Sequence, residues 1–401
     1  IVARSKEAKA LGIGMGEPWF LVRQRLRQAQ QQGQGPGAEA VIALSSNYAL
    51  YADMSTRVMR ILGRFSPHQE VYSIDESFLD LRGLPEPAAV IGQRIRERVL
   101  RWTGLPVCVG LGPTKTLAKL ANHLAKQDPR WNAVCDLQAL SEDEREALLA
   151  TVPVGKVWGV GSRLARRLQA LGLETALDLS RAPQALIRQQ TSVVLARTAL
   201  ELRGKVCLAL EEIAPAKQQI RCPRSFGALV TEQAELIEAL AQFTSRAAEK
   251  LRAQQTLASA LAVELTRRPQ HAGLLPETRC QVVALPESSA DTRLLVAAAR
   301  RGLQRLLPSA RTDQPYTKAG IILLGLTPAS QVPSDLFAES LESARGQALM
   351  ATLDQINQRF GRGTLTLGSI NRAPRWRRRE AHRSARYTTR WDELPVAVAD
   401  G

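Results

Sequence analysis

Cysteine and histidine are scarce in this chain of 401 residues, and neither is clustered. The five cysteines, Cys108, Cys135, Cys207, Cys222 and Cys280, are odd in number and show no CxxC spacing. A disulfide framework and a zinc site are thereby excluded, and reduced, mostly buried thiols in a cytoplasmic protein are expected. The four histidines, His68, His123, His271 and His382, are equally dispersed, so none is assigned to catalysis. Long apolar runs are lacking as well. The longest, AGIILLGL at 319–326, is too short to cross a bilayer. The opening IVARSK does not have the basic-then-apolar order of a secretory signal, so no membrane association is expected.

Acidic residues fall short of basic ones, 38 against 54, leaving a net charge of +16. A surplus of this size argues for a polyanionic partner, nucleic acid before an acidic membrane, over a basic surface with no partner. Hydrophobic content of 45% and a length of 401 residues otherwise describe an ordinary protein of two to four domains.

Periodicity places short helices in 1–37, ending in the flexible tract QQQGQGPG at 30–37. A helix near 47–65 follows, with Tyr48, Tyr51, Val58, Ile61 and Leu62 available for an apolar face. Two short strands at 70–74 and 77–81 then form a hairpin with Asp75 and Glu76 at its tip. Next come a helix near 87–102, with Val90, Ile91, Ile95 and Val99 at helical spacing, and a buried strand at 106–111. The order α-β-β-α-β is a split, ferredoxin-like βαββαβ sheet without its first strand. Residues 145–215 read as a wholly helical domain. From 224 to 326 a complete βαββαβ pattern appears, so the same sheet layout is expected twice, as recurrence of a common fold. The remainder is a tail with one helix and a basic stretch.

The adjacent carboxylates Asp75 and Glu76 suit a divalent metal, because Mg²⁺ takes oxygen ligands and shares them with substrate phosphates. By themselves they prove little, because two acids at a turn are far more often simply a solvated turn. GLGPTKT at 110–116 is not a phosphate-binding Walker loop, since Thr114 stands where a glycine must precede the lysine. What remains is a strand, a glycine turn and a helix with Lys115 and Lys119 on one face. Beside the acidic hairpin, those lysines favour a triphosphate over a merely solvated face. Gly159-Val160-Gly161, opening the basic helix that carries Arg163, has the pattern of a helix–hairpin–helix gripping DNA backbone. A plain glycine turn is the alternative. Between 372 and 390 stand eight arginines opposed by Glu380 alone, interleaved with Trp376 and Tyr387. Single-stranded nucleic acid, a disordered basic arm and a protein-docking segment all fit that stretch.

Taken together, these residues resemble the Y-family translesion DNA polymerases of the UmuC branch. The matching stretches are EAKALGIGMGEPWF (7–20), SSNYALYADMSTRVM (45–59), VYSIDESFLDL (71–81), TKTLAKLANHLAK (114–126), VWGVG (157–161), RSFG (224–227), GRGTL (361–365) and RYTTR (386–390). They cover essentially the whole chain. The resemblance implies a multidomain α+β right-hand polymerase: partial fingers in 1–44, palm in 45–140, thumb in 141–218, little finger in 222–328 and a branch-type tail in 329–401. It implies that Asp75 and Glu76 hold two Mg²⁺ ions, that Lys9 and Lys119 contact the incoming dNTP, and that Lys115, Gly159, Gly161, Arg163 and Arg224 contact DNA. Where many relatives carry a fingers tyrosine this chain has Lys6, so no role is carried over there. The implied partners are damaged primer–template DNA, a UmuD′-like dimer and a RecA filament. Pro333-Ser334-Asp335-Leu336-Phe337 looks like a sliding-clamp peptide ending in Asp335-Leu336-Phe337, with Pro333 in place of its usual glutamine.

One departure stands out. Relatives begin with a strand bearing another metal-binding aspartate and a nearby aromatic residue that excludes ribonucleotides, and neither precedes Ile1. The expectation is a chain truncated at its start. Template-directed lesion bypass in the bacterial SOS response is the leading reading, a non-catalytic DNA-binding or assembly subunit the alternative. A nucleotide hydrolase is disfavoured by the failed Walker loop.

Overall fold

The computed structural model describes residues 1–35, 37–212, 217–268, 275–307, 311–331, 344–361, 363–368, 370, 374–377 and 380–396. Two compact units are present, Ile1–Pro215 together with His382–Gly401, and Ala216–Ala381. The expected clamp peptide, Asp335, Leu336 and Phe337 included, lies outside the described residues.

The first unit opens with α1 (Lys6–Ala10) and α2 (Trp19–Gln31), which share a small apolar cluster of Ile13, Val22 and Leu26. Helix α3 (Tyr48–Leu62) starts at Asn47, whose side chain accepts the N–H of Leu50. The hairpin follows as β1 (Gln69–Val71) and β2 (Ser77–Leu79), then α4 (Ala88–Thr103). Ile61 of α3 packs with Ile91, Ile95 and Val99 of α4. The expected apolar faces are narrower than periodicity indicates, because Tyr48, Tyr51 and Val90 are exposed.

Strand β3 (Val109–Leu111), helix α5 (Lys115–Gln127) and strand β4 (Val134–Asp136) come next, with β3 and β4 parallel. Gly110 lets α5 approach β3 closely: a Cβ there would collide with the backbone of Ala118 and Asn122. The α-β-β-α-β order is present, but β4 was not expected. Among the described residues β3 pairs with β4 and not with the hairpin, giving two separate two-stranded sheets.

The helical region comprises α6 (Glu142–Thr151), α7 (Ser162–Ala170), α8 (Ala176–Arg181), α9 (Gln184–Gln190) and α10 (Val193–Leu202). Its core is continuous with that of α5. Leu117, Leu120 and Leu124 belong to one cluster with Leu168, Leu179 and Ile187.

The second unit contains β5 (Ile220–Glu232), α11 (Gln233–Ala253), β6 (Thr256–Arg267), β7 (Thr278–Ser289), α12 (Thr292–Leu306) and β8 (Arg311–Pro328). All six expected elements are there, in an antiparallel sheet of order β5-β8-β6-β7. Leu236, Leu240, Phe243, Ala247 and Leu251 recur on one face of α11 and pack, with Leu295, Ala299 and Leu303 of α12, on Leu261, Val263, Ile321 and Leu323. The last strand of this pattern bonds to the hairpin, whereas β3 in the first unit does not. The expectation of one sheet layout occurring twice is therefore corrected: element order recurs, strand order does not.

Parts of the described tail are anchored to the two units, although much of it is exposed. Helix α13 (Ala344–Phe360) is tied to α11 by Asp354, whose carboxylate accepts two bonds from Arg252 at 2.7 Å. Trp376 is 5% exposed, edge-on to Phe226 and Phe243, and its carbonyl accepts the N–H of Gly227. In the first unit the Ser45 N–H donates to His382, and the Asn47 amide donates to the carbonyls of Ser384 and Ala385. Nucleic-acid stacking by Trp376 is thus excluded by its burial, while Tyr387 is 45% exposed.

Candidate active site

The tip of the β1–β2 hairpin is closed by the Glu76 carbonyl, which accepts the backbone N–H groups of Tyr72 and Ser73. Asp75 stands exposed at the turn, where its Oδ1 accepts the Ser73 hydroxyl at 2.5 Å. Strand alternation turns Glu70 and Phe78 inward as cross-strand partners. Asp75 and Glu76 are left at the loop end.

Helix α5 supplies the opposing charge. Thr114 caps its N-terminus by accepting the Leu117 N–H, and the helix then presents Lys115 and Lys119 one turn apart. Lys119 Nζ lies 2.5 Å from Oε2 of Glu76. Its ammonium also sits over the Tyr72 ring, 5.3 Å from the centroid, and 5.9 Å from that of Trp158. The expected proximity of the lysine helix to the acidic hairpin is what the structure shows.

Lys115 is placed differently from the expectation. It is 9% exposed, ion-paired with the equally sequestered Glu70, and donates to the carbonyl of Ala209 at 2.8 Å. Glu70 Oε2 also accepts the N–H of Glu211 at 2.7 Å. An ammonium committed to a buried carboxylate is not offered to DNA, because removing it would leave that charge unpaired. Lys115 is a structural cation. The start of α5 is equally occupied, since the buried Glu201 carboxylate accepts the N–H and hydroxyl of Thr116.

Trp158 packs beside this cluster, and sequence reasoning did not single it out. Its indole N–H donates to the Tyr72 hydroxyl at 3.1 Å, and its ring stands edge-on to Tyr72 and tilted against Phe78. Its only sequence signal was its place in VWGVG. The next residue, Gly159, has φ +85°, a left-handed conformation that a side chain would strain. Gly161 caps α7 by backbone alone, leaving the first N–H groups of the helix without a side-chain acceptor, and Arg163 is exposed beside them. Lys9 is exposed on α1, and Arg224 is exposed on β5 in the second unit.

Asp75 and Glu76 are hard oxygen donors with an ammonium nearby, a set that fits a divalent cation shared with phosphate. No group of three or more His, Cys, Asp or Glu suited to a metal occurs among the described residues. The cysteines are free; Cys135 and Cys222 are buried, and burial pushes the Cys135 thiol up to about 12. Cys280 is exposed, so the expectation of mostly buried thiols holds for only part of the set. No helix among the described residues is long and apolar enough to cross a membrane.

The fold is that of a Y-family DNA polymerase. It aligns with a solved Y-family DNA polymerase chimera of Dbh and Dpo4 at a TM-score of 0.59 and 20% identity, over 81% of this chain and 87% of that one. Family models match at residues 1–123 (impB/mucB/samB family), 142–173 (IMS family HHH motif), 217–336 (impB/mucB/samB family C-terminal domain) and 347–397 (a domain of unknown function). Protein ImpB of Salmonella typhimurium is 42% identical over 99% of this chain and 91% of its own length. Protein UmuC of Salmonella typhimurium is 40% identical over 98% of this chain and 90% of its own. The chain belongs to the impB/mucB/samB family, the UmuC branch of the Y-family polymerases. It is accordingly a DNA-directed DNA polymerase of the error-prone translesion type that serves the bacterial SOS response, and the non-catalytic alternative is not favoured.

Proposed function

We propose that Asp75 and Glu76 are the carboxylates that hold Mg²⁺, two ions in the working complex, and that Lys119 meets the triphosphate of the incoming dNTP. The observation that carries this reading is the 2.5 Å ion pair between Lys119 and Glu76, which gathers a metal-type carboxylate and a phosphate-type cation from separate elements. When bound, the metal supplies charge neutralisation on the phosphates and acidifies the attacking hydroxyl. The residues of this chain do the rest. The hairpin turn holds Asp75 and Glu76 at the strand ends, and Lys119 holds positive charge where pyrophosphate charge develops. Lys9 contributes a further cation from the fingers. Gly159, Gly161 and Arg163 grip duplex backbone from the thumb, and Arg224 does so from the little finger.

The boundaries proposed are fingers to 44, palm 45–140, thumb 141–218, little finger 222–328 and tail 329–401. A cytoplasmic enzyme acting on damaged primer–template, with a UmuD′-like dimer, a RecA filament and the sliding clamp as partners, completes the reading. Primer extension with Mg²⁺ across a lesion tests it. Loss of several kcal/mol of charge stabilisation in Asp75→Ala or Glu76→Ala corresponds to a fall in rate of roughly 10²–10³-fold or more. Undiminished extension by Glu76→Ala would remove the site assignment.

A further inference from the structure

We propose that Trp158, in the glycine turn of the helix–hairpin–helix, is a positioning residue that sets Lys119 for the incoming nucleotide. The inference rests on the assignment of Lys119 made above. A lysine is a compact point charge on a flexible four-carbon stem, so a site that needs it in one place must wall it in. Three features do so here. Glu76 fixes the ammonium at 2.5 Å, the Tyr72 face lies 5.3 Å beneath it, and the Trp158 face lies 5.9 Å away on the other element.

The two aromatic walls are themselves joined. The Trp158 indole N–H donates to the Tyr72 hydroxyl at 3.1 Å, the rings meet edge-on with centroids 5.3 Å apart, and Phe78 braces both. Tyr72 precedes the carboxylate turn by three residues, and its own N–H is held by the Glu76 carbonyl. Trp158 therefore holds the lysine by its ring and the hairpin tip by its hydrogen bond. It is only partly buried, so filling a core does not account for it. The following residue is the left-handed Gly159, so the turn that offers backbone N–H groups to DNA also aims the indole. The nucleotide site and the duplex grip meet at one side chain.

The test uses the full chain on a dideoxy-terminated primer–template, with a fluorescent dNTP and Mg²⁺ read by anisotropy, alongside steady-state extension. Losing a cation–π wall and the order it imposes corresponds to roughly a 3–10-fold weaker dNTP Kd in Trp158→Ala, with KM raised more than kcat is lowered. Tyr72→Phe keeps its ring and loses only the shared hydrogen bond, whereas Trp158→Phe loses that bond and leaves a smaller aromatic wall; both guard against misfolding, and each falls between wild type and Trp158→Ala. In a Lys119→Ala background, Trp158→Ala adds no further loss of nucleotide affinity. The proposal is overturned if Lys119→Ala weakens dNTP binding and Trp158→Ala does not, or if the loss from Trp158→Ala persists undiminished without Lys119. Unchanged dNTP binding in Lys119→Ala overturns the lysine assignment itself and the inference with it.

Discussion

The Glu201 carboxylate, on α10, accepts the backbone N–H of Thr116 at 3.0 Å and its hydroxyl at 2.7 Å, joining α10 to the first turn of α5. Its other oxygen accepts the N–H groups of Cys207 and Leu208, and no part of the residue is exposed. A buried charge with four donors is satisfied, and removing it orphans three backbone N–H groups in a closed space. Glu201→Ala should cost about 3–5 kcal/mol, and Glu201→Gln roughly half, because its amide points donors at donors. Urea unfolding followed by circular dichroism measures both. A loss below about 1 kcal/mol in Glu201→Ala would mean the carboxylate does not organise the α5–α10 junction.

Trp376 illustrates how composition misleads about nucleic-acid contacts. Its place among arginines left base stacking as one of three open readings, yet it fills a slot between Phe226 and Phe243. Trp376→Ala should destabilise by about 3–5 kcal/mol, the usual cost of truncating a buried aromatic residue. Tyr387→Ala, at an exposed position, should change stability by under about 1 kcal/mol. Thermal unfolding separates the two. Single-strand affinity lost in Trp376→Phe, which keeps the slot filled, would contradict the packing role.

Local placement was legible in the sequence, and long-range pairing was not. Asp75 and Glu76 announce themselves because acidic residues between two short β-patterns fall at a turn whatever the rest of the chain does. Lys119 follows from helical spacing. Lys115 shares that spacing, but its fate depends on Glu70, a charged residue in an inward strand position where alternation calls for an apolar one. No local pattern marks such a pair. The same holds for Arg386 with Glu393 and Arg390 with Asp392, which pair two arginines of the tail with acids just beyond the basic stretch. Strand order in the sheets is set by packing across the whole unit, so the βαββαβ pattern of the second unit was readable and β5-β8-β6-β7 was not.

Acid should loosen the second unit partly through Asp291, the N-cap of α12. Burial alone would raise its carboxyl, but hydrogen bonds from the Arg293 side chain and backbone outweigh that and hold it below the usual carboxylate range. A folded-state value below the unfolded one gives stability that is present above about pH 4 and lost as the pH falls through the folded value. Asp291→Asn should therefore lower stability at pH 7 and show a smaller further loss between about pH 4 and pH 2 than wild type. Urea midpoints across that range test the sign. An unchanged acid slope in Asp291→Asn would exclude the cap as a source of acid sensitivity.

The helix–hairpin–helix makes a prediction that separates backbone grip from the rest of the basic surface. With a net charge of +16, duplex affinity must fall with salt in any case, so weak binding by itself decides nothing. The slope is the informative quantity. Arg163 is exposed in the first turn of α7, beside N–H groups that no side chain caps, so it should account for about one phosphate contact. Arg163→Ala should lower the slope of log K against log salt by about 0.9 and weaken all duplex sequences alike. Gly159→Ala acts differently. It leaves the charge in place and strains a turn at φ +85°, costing about 1–2 kcal/mol locally. Affinity should then drop at every salt concentration with the slope preserved. Anisotropy titrations of a labelled duplex at several salt concentrations distinguish the two. If Arg163→Ala left the slope unchanged while Gly159→Ala lowered it, Arg163 would not contact phosphate and the turn would be acting through charge placement alone.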